Sequence, residues 1–191
     1  MLQLKEIGTK MKSLTINYKI TAVIILAVVV IAGIGYQLTK PDKRILKAHQ
    51  QVETLVEEIR NFYRSKPDAW GLNTASAIKN QLVSADMVTG RLLHNALGKE
   101  ILLGADILGN TVMPGSKNAV IVYKNIDKRE CQSIISQNFN EKMQLSLNAI
   151  TIVNDSEYKF SWGGENPLPI SLDKAREICK EANDILWDIY L

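Results

Sequence analysis

Apolar residues fall along this chain in three textures, continuous, helical and alternating, and each predicts a different kind of element. The continuous run is ITAVIILAVVVIAGIGY, residues 20–36, prolonged by Leu38. No charge interrupts it, and as a helix rising about 1.5 Å per residue it covers roughly 25 Å, close to a bilayer's hydrocarbon thickness. A membrane-crossing helix over 20–38 is therefore expected, with Ile20, Val23, Ile24, Ala27, Val30, Ile31 and Ile34 among its apolar positions. Two rivals fit less well. A helix buried in a soluble protein is rarely apolar on every side, and a cleaved secretory signal calls for small residues where QLTKPDKRILK stands.

Pro41 interrupts the helical pattern, because it has no N–H to donate and its ring crowds the preceding turn. The period of 3.6 resumes in RILKAHQQVETLVEEIRNFYRS, where Ile45, Ala48, Val52, Leu55, Val56, Ile59, Phe62 and Tyr63 form one stripe. It predicts an amphipathic continuation of the helix over 39–66, ended by Pro67 and Gly71. His49 lies on or near that stripe, as a half-buried, hydrogen-bonded histidine would.

Farther on, NTASAIKNQLV reads as a short helix capped at Asn73 or Thr74. The segments KEILL and NAVIVYKNI alternate, with MPGS between them, and predict antiparallel strands. Asp127 and Glu130 form a capping box that opens a helix turning Cys131, Ile134 and Ile135 inward. KMQLSLNAITIV and YKFSW are expected as strands. Ser171 is expected to cap a last helix whose Leu172, Ala175, Ile178, Cys179, Ala182, Ile185, Leu186 and Ile189 make an unbroken stripe. The fold class is α+β: a long, partly transmembrane N-terminal helical spine packed on an antiparallel β-sheet head with additional helices and one disulfide.

Charge sharpens the membrane reading. The net +3 divides unevenly: residues 1–44 carry seven Lys or Arg against two acids, and residues 45–191 carry sixteen against eighteen. The basic excess flanks the apolar run and coats no domain, so nucleic-acid binding is not expected. Lys5, Lys10, Lys12 and Lys19 precede the run with only Glu6 opposing them, which keeps the N-terminal piece in the cytoplasm, although Lys40, Lys43 and Arg44 weaken the bias. The bulk of the chain then enters an oxidising compartment, where two cysteines most often pair. A Cys131–Cys179 bridge closing about 48 residues contributes on the order of 4 kcal/mol in the chain-entropy picture. A metal site would need ligands the chain does not group, since His49 and His94 are its two histidines and neither stands near a cysteine at ligand spacing.

Catalytic constellations do not emerge. The chain has no G-x-S-x-G, H-E-x-x-H, G-x-x-x-x-G-K-[ST] or C-x-x-C. GKE at Gly98 and WGGEN at Trp162 to Asn166 are glycine turns, and Glu57 and Glu58 are neighbours on a solvated helix face. No enzyme activity, cofactor, metal or small-molecule substrate is expected. Trp162, Lys159 and Glu165 are surface residues free to face a neighbour, a receptor or water.

The order of a membrane helix running into an amphipathic half, the turn NALGKEILLG, IDKREC and the late AREICK resembles the type IV pilins of the b subclass, including thin-pilus pilins of conjugative plasmids. In that family an Asn-led turn closed by Gly precedes the first strand, as Asn95 to Gly98 would here, and two bridged cysteines bound a surface-exposed region, which Cys131 and Cys179 match. The resemblance implies the segments 1–19 as cytoplasmic piece or leader, 20–38 as membrane and filament-core helix, 39–66 as its continuation, and 67–191 as an exported head with a disulfide-bounded region 131–179. It implies assembly with identical or related pilin subunits by a pilus machinery. The subunit would sit in the inner membrane with its head in the periplasm before assembly, and in an extracellular pilus afterwards, serving adhesion, conjugation or surface contact. Gly33, Gly35 and Pro41 would make residues 33–41 the pliable part of the helix, although glycines are also ordinary in membrane helices. The leader departs from the family, which has Gly directly before the apolar stretch and Glu five residues into the mature chain; here the nearest upstream glycine is Gly8 and Ser13 lies five places after it. The alternative is a bitopic envelope protein whose exported assembly or binding head does not polymerise.

Overall fold

The computed structural model describes residues 42–104, 115 and 117–191. The expected membrane helix, the residues 39–41, Gly33, Gly35 and Pro41, and most of the MPGS turn lie outside the described residues.

Helix α1, Lys43–Tyr63, starts where Asp42 accepts the backbone N–H of Arg44 at 2.8 Å and holds its guanidinium at 3.1 Å. The stripe read from the sequence is its buried face, from Ile45 through Ala48, Val52, Leu55, Val56 and Ile59 to Tyr63. After Pro67, α2 (Thr74–Lys79) is capped by Asn73, whose side chain accepts from Ser76 while the Ser76 hydroxyl accepts the Asn73 N–H. A 3-10 turn, Ala85–Met87, leads to β1 (Val88–Thr89), β2 (Leu92–His94) and β3 (Glu100–Leu103). Strand β4 is Asn118–Ile126, and α3 is Lys128–Ile135, opened by the expected Asp127/Glu130 box. Then come α4 (Glu141–Ser146), β5 (Leu147–Val153), β6 (Glu157–Ser161), α5 (Leu172–Ile178) and β7 (Asn183–Tyr190).

The strands form one antiparallel sheet, ordered β1-β2-β3-β4-β7-β5-β6. On one face Ile121 and Ile150 lie opposite Trp187, and Tyr123 and Ile152 lie opposite Ile185. These residues join the α1 stripe in a single core. Tyr123 ties the layers together, donating its hydroxyl to the Ala48 carbonyl at 2.9 Å and meeting Trp187 edge-on with ring centres 4.7 Å apart.

Two expected elements differ. Residues 141–146 are helix, not the start of a strand, because Asn140 caps them by accepting the Met143 N–H at 2.8 Å. The last expected helix stops at Ile178, and residues 183–190 form the strand between β4 and β5. There Asn183, Ile185, Trp187 and Ile189 are buried while the residues between them are partly or fully exposed, a period of two. Ile185, Leu186 and Ile189 satisfy a helical stripe equally well, so tertiary pairing decides the outcome.

Candidate assembly surface

Cys131 lies in the first half of α3 and Cys179 caps the end of α5; they are bonded, with Cα atoms 6.0 Å apart and both side chains buried. The bridge joins two helices, as the sequence suggested, and encloses α4, β5, β6 and α5 in one loop. Just beyond it, Asn183 secures the switch from helix to strand. Its side chain donates to the carbonyls of Ile126 (2.9 Å) and Lys180 (2.7 Å) and accepts from the Lys180 N–H (2.8 Å) and Asn154 (3.0 Å).

The turn from Asn95 to Gly98 connects β2 to β3, so it follows two short strands and does not precede the first. Asn95 accepts the N–H groups of Leu97 (3.0 Å) and Lys99 (3.1 Å). Gln51 of α1 accepts the Ala96 N–H at 2.7 Å and pins the turn to the helix. The sequence signal for that anchor is Gln51 itself, a glutamine buried on an otherwise apolar stripe.

The two flanks of α1 differ. On one, residues 47, 51, 54, 55 and 58 line a groove of about 480 Å³ whose opposite wall is residues 81–87. Its floor is apolar, made by Leu55, Leu82, Val83 and Met87, and its rim carries Lys47, ion-paired with Asp86 at 2.6 Å, and Glu58. On the other flank α4 lies against residues 53–64. The Asn140 N–H donates to Glu53 (2.6 Å), Lys142 pairs with Glu57, and Arg60 donates to the Ser146 hydroxyl (2.8 Å). Met143 and Ser146 are buried in that contact, whereas Leu145 points out of it, 72% exposed. Neither the groove nor Leu145 was legible beforehand, the latter because its segment reads as a strand.

His49 is buried, its ring stacked on Phe139 with centres 4.8 Å apart, and its Nε2 has no hydrogen-bond partner. Removal from water holds its pKa below the ordinary 6.5, and Glu53 opposes that shift. The expected hydrogen-bonded, half-buried histidine is thus a buried one with an unmatched nitrogen.

Of the surface residues singled out, Trp162, Lys159 and Glu165 are exposed, and the Trp162 indole N–H donates to the Leu147 carbonyl at 3.0 Å. Among the described residues no group of three or more His, Cys, Asp or Glu is placed to hold a metal ion, and no helix is long and apolar enough to cross a membrane.

No protein-family model matches the sequence, and no curated protein matches it. Solved structures do. The chain is similar to TcpA, a type IV pilin from Vibrio cholerae El Tor biotype, with a TM-score of 0.53 at 13% identity over 77% of this chain and 99% of that one. It also matches a type IVb pilin from Salmonella typhi, with a TM-score of 0.49 at 15% identity over 76% of this chain and 96% of that one. With its helix on an antiparallel sheet, its accessory helices and its disulfide, the described part of the chain has the fold of a type IV pilin.

Proposed function

We propose that the chain is a structural subunit of a type IV pilus-like extracellular filament. Residues 20–38 would first hold it in the inner membrane and then pack against identical helices in the filament core, while residues 67–191 form the outward head. An apolar helix can exchange lipid for like helices because one apolar contact replaces another. The observation that carries the reading is an uninterrupted apolar run in the sequence followed, beyond Pro41, by a helix that lies on a pilin-fold sheet, with a disulfide bounding the C-terminal part of the head. Adhesion, conjugation or surface contact would be the task of the filament, and Gly33, Gly35 and Pro41 the pliable stretch used on assembly.

Fractionation tests this. Cells expressing the full chain are sheared, and fibres are separated from membranes. The subunit is expected to pellet with extracellular fibres; recovery wholly in the inner membrane overturns the proposal in favour of a permanently anchored envelope protein.

A further inference from the structure

We infer that the end of the head where α1 and α3 begin is a docking surface for the anionic headgroups of the bilayer that residues 20–38 are expected to cross. This rests on the membrane reading, which the filament subunit and the permanently anchored alternative share. Lys43 and Arg44 open α1, and Lys128 and Arg129 open α3. The two starts lie side by side, close enough for Arg129 to act electrostatically on Asp42 and for Glu130 and Asp127 to act on Arg44, while Lys99 acts on Glu130 from the end of the turn that Gln51 anchors. The carboxylates at this end are engaged: Asp42 pairs with Arg44 at 3.1 Å, and Asp127 and Glu130 each accept a backbone N–H of the other in the capping box. Lys43, Lys128 and Arg129 are exposed, and among the described residues none of them is in an ion pair. The surplus here is therefore positive.

Helix stability does not account for these cations. The helix dipole disfavours Lys and Arg in a first turn, and beyond a membrane segment they oppose the orientation that Lys5, Lys10, Lys12 and Lys19 favour. An anionic surface offsets both costs and selects this face by charge. Leu46, one turn from Lys43 on α1, is 41% exposed and adds an apolar side chain of the kind that enters a headgroup layer. Chain length brings the face to the bilayer: the four steps from Leu38 to Asp42 span at most about 14 Å, so α1 begins beside the membrane whenever residues 20–38 are inserted. Helix α3 has no such tether and reaches the lipid only through its packing on α1, which makes its contact the diagnostic one.

The test places p-benzoylphenylalanine at position 132 of the purified full chain and reconstitutes it into vesicles of phosphatidylcholine alone or of phosphatidylcholine mixed with phosphatidylglycerol. Gln132 is partly exposed one turn beyond Lys128 on α3, so lipid adducts formed on irradiation and read by mass spectrometry report contact of that helix with the bilayer and not mere anchoring of the chain. About fivefold more adduct or greater is expected with phosphatidylglycerol present, and raised salt should remove the difference. Lys43→Glu with Lys128→Glu should bring the adduct down to the level seen in phosphatidylcholine alone. Equal adduct in the two lipids, no adduct in either, or adduct indifferent to the charge reversal overturns the docking surface and leaves the membrane reading standing. A chain that floats with neither kind of vesicle overturns both, and an intact Cys131–Cys179 bridge in each variant verifies that the head has folded.

Discussion

The side-chain amide of Asn183 donates to the carbonyl of Ile126 at 2.9 Å, joining the first residue of β7 to the last residue of β4 across 57 positions of sequence. With its bonds to Lys180 and Asn154, this one buried amide satisfies backbone groups from two segments and the side-chain amide of a third. Asn183→Leu keeps the size and leaves those groups without partners in the interior. We expect a loss of about 2–4 kcal/mol, read from urea unfolding followed by tryptophan fluorescence. A change below about 1 kcal/mol is the contrary outcome.

Reduction should reproduce a mutation. Cys131→Ser opens the 48-residue loop and is expected to lower stability by about 4 kcal/mol. The parent treated with reductant should unfold at the same urea concentration as the variant, and the variant should be indifferent to reductant.

Gly104 has φ +61°, and a Cβ added there would stand 1.9 Å from the Leu72 carbonyl oxygen, beside the bridge between Asn73 and Gly104. Gly104→Ala must therefore strain the backbone and also push the two segments apart, and a cost of about 3 kcal/mol or more follows. Gly71, with φ +82° but open space around it, supplies the comparison. Gly71→Ala is expected to cost about 1 kcal/mol, so equal losses at both sites would contradict the clash.

His49 makes stability depend on pH in a fixed direction. Its pKa is lowered in the folded state, so below about pH 6.5 the unfolded chain binds more protons there than the folded one. Stability from this group is present above that pH and declines as pH falls toward the lowered value. Asp188, half-buried with its pKa raised by removal from water, acts with the opposite sign and in the acidic range of carboxyl groups. His49→Leu should flatten the slope of unfolding free energy between about pH 7 and 5.5, and an unchanged slope would show that the titrating group lies elsewhere.

Much of the architecture was legible because it follows from local rules. The α1 stripe, the Asn73 and Asp127 caps and the alternating NAVIVYKNI each dictate their own element from a few neighbouring residues. The C-terminal run did not, because DILWDIY fits periods of two and of 3.6 alike, and only strands β4 and β5, distant in sequence, choose between them. The disulfide could be reasoned from compartment and cysteine count. The groove could not: it is bounded by residues 47–58 and 81–87, whose approach is set by how α2 and the 3-10 turn fold back on α1, and no short pattern encodes that distance.

The position of β7 carries a consequence for how such a head is made. Synthesis delivers residues in order, so β1 to β4 and then β5 with β6 emerge while the central strand that joins them is still missing. Until residues 183–190 arrive, β4 and β5 each present an unpaired row of amide and carbonyl groups, the kind of edge that strands of other chains can capture. The chain is thus most vulnerable to mispairing in the interval before its last strand arrives, and a chaperone that shields open strand edges would act then.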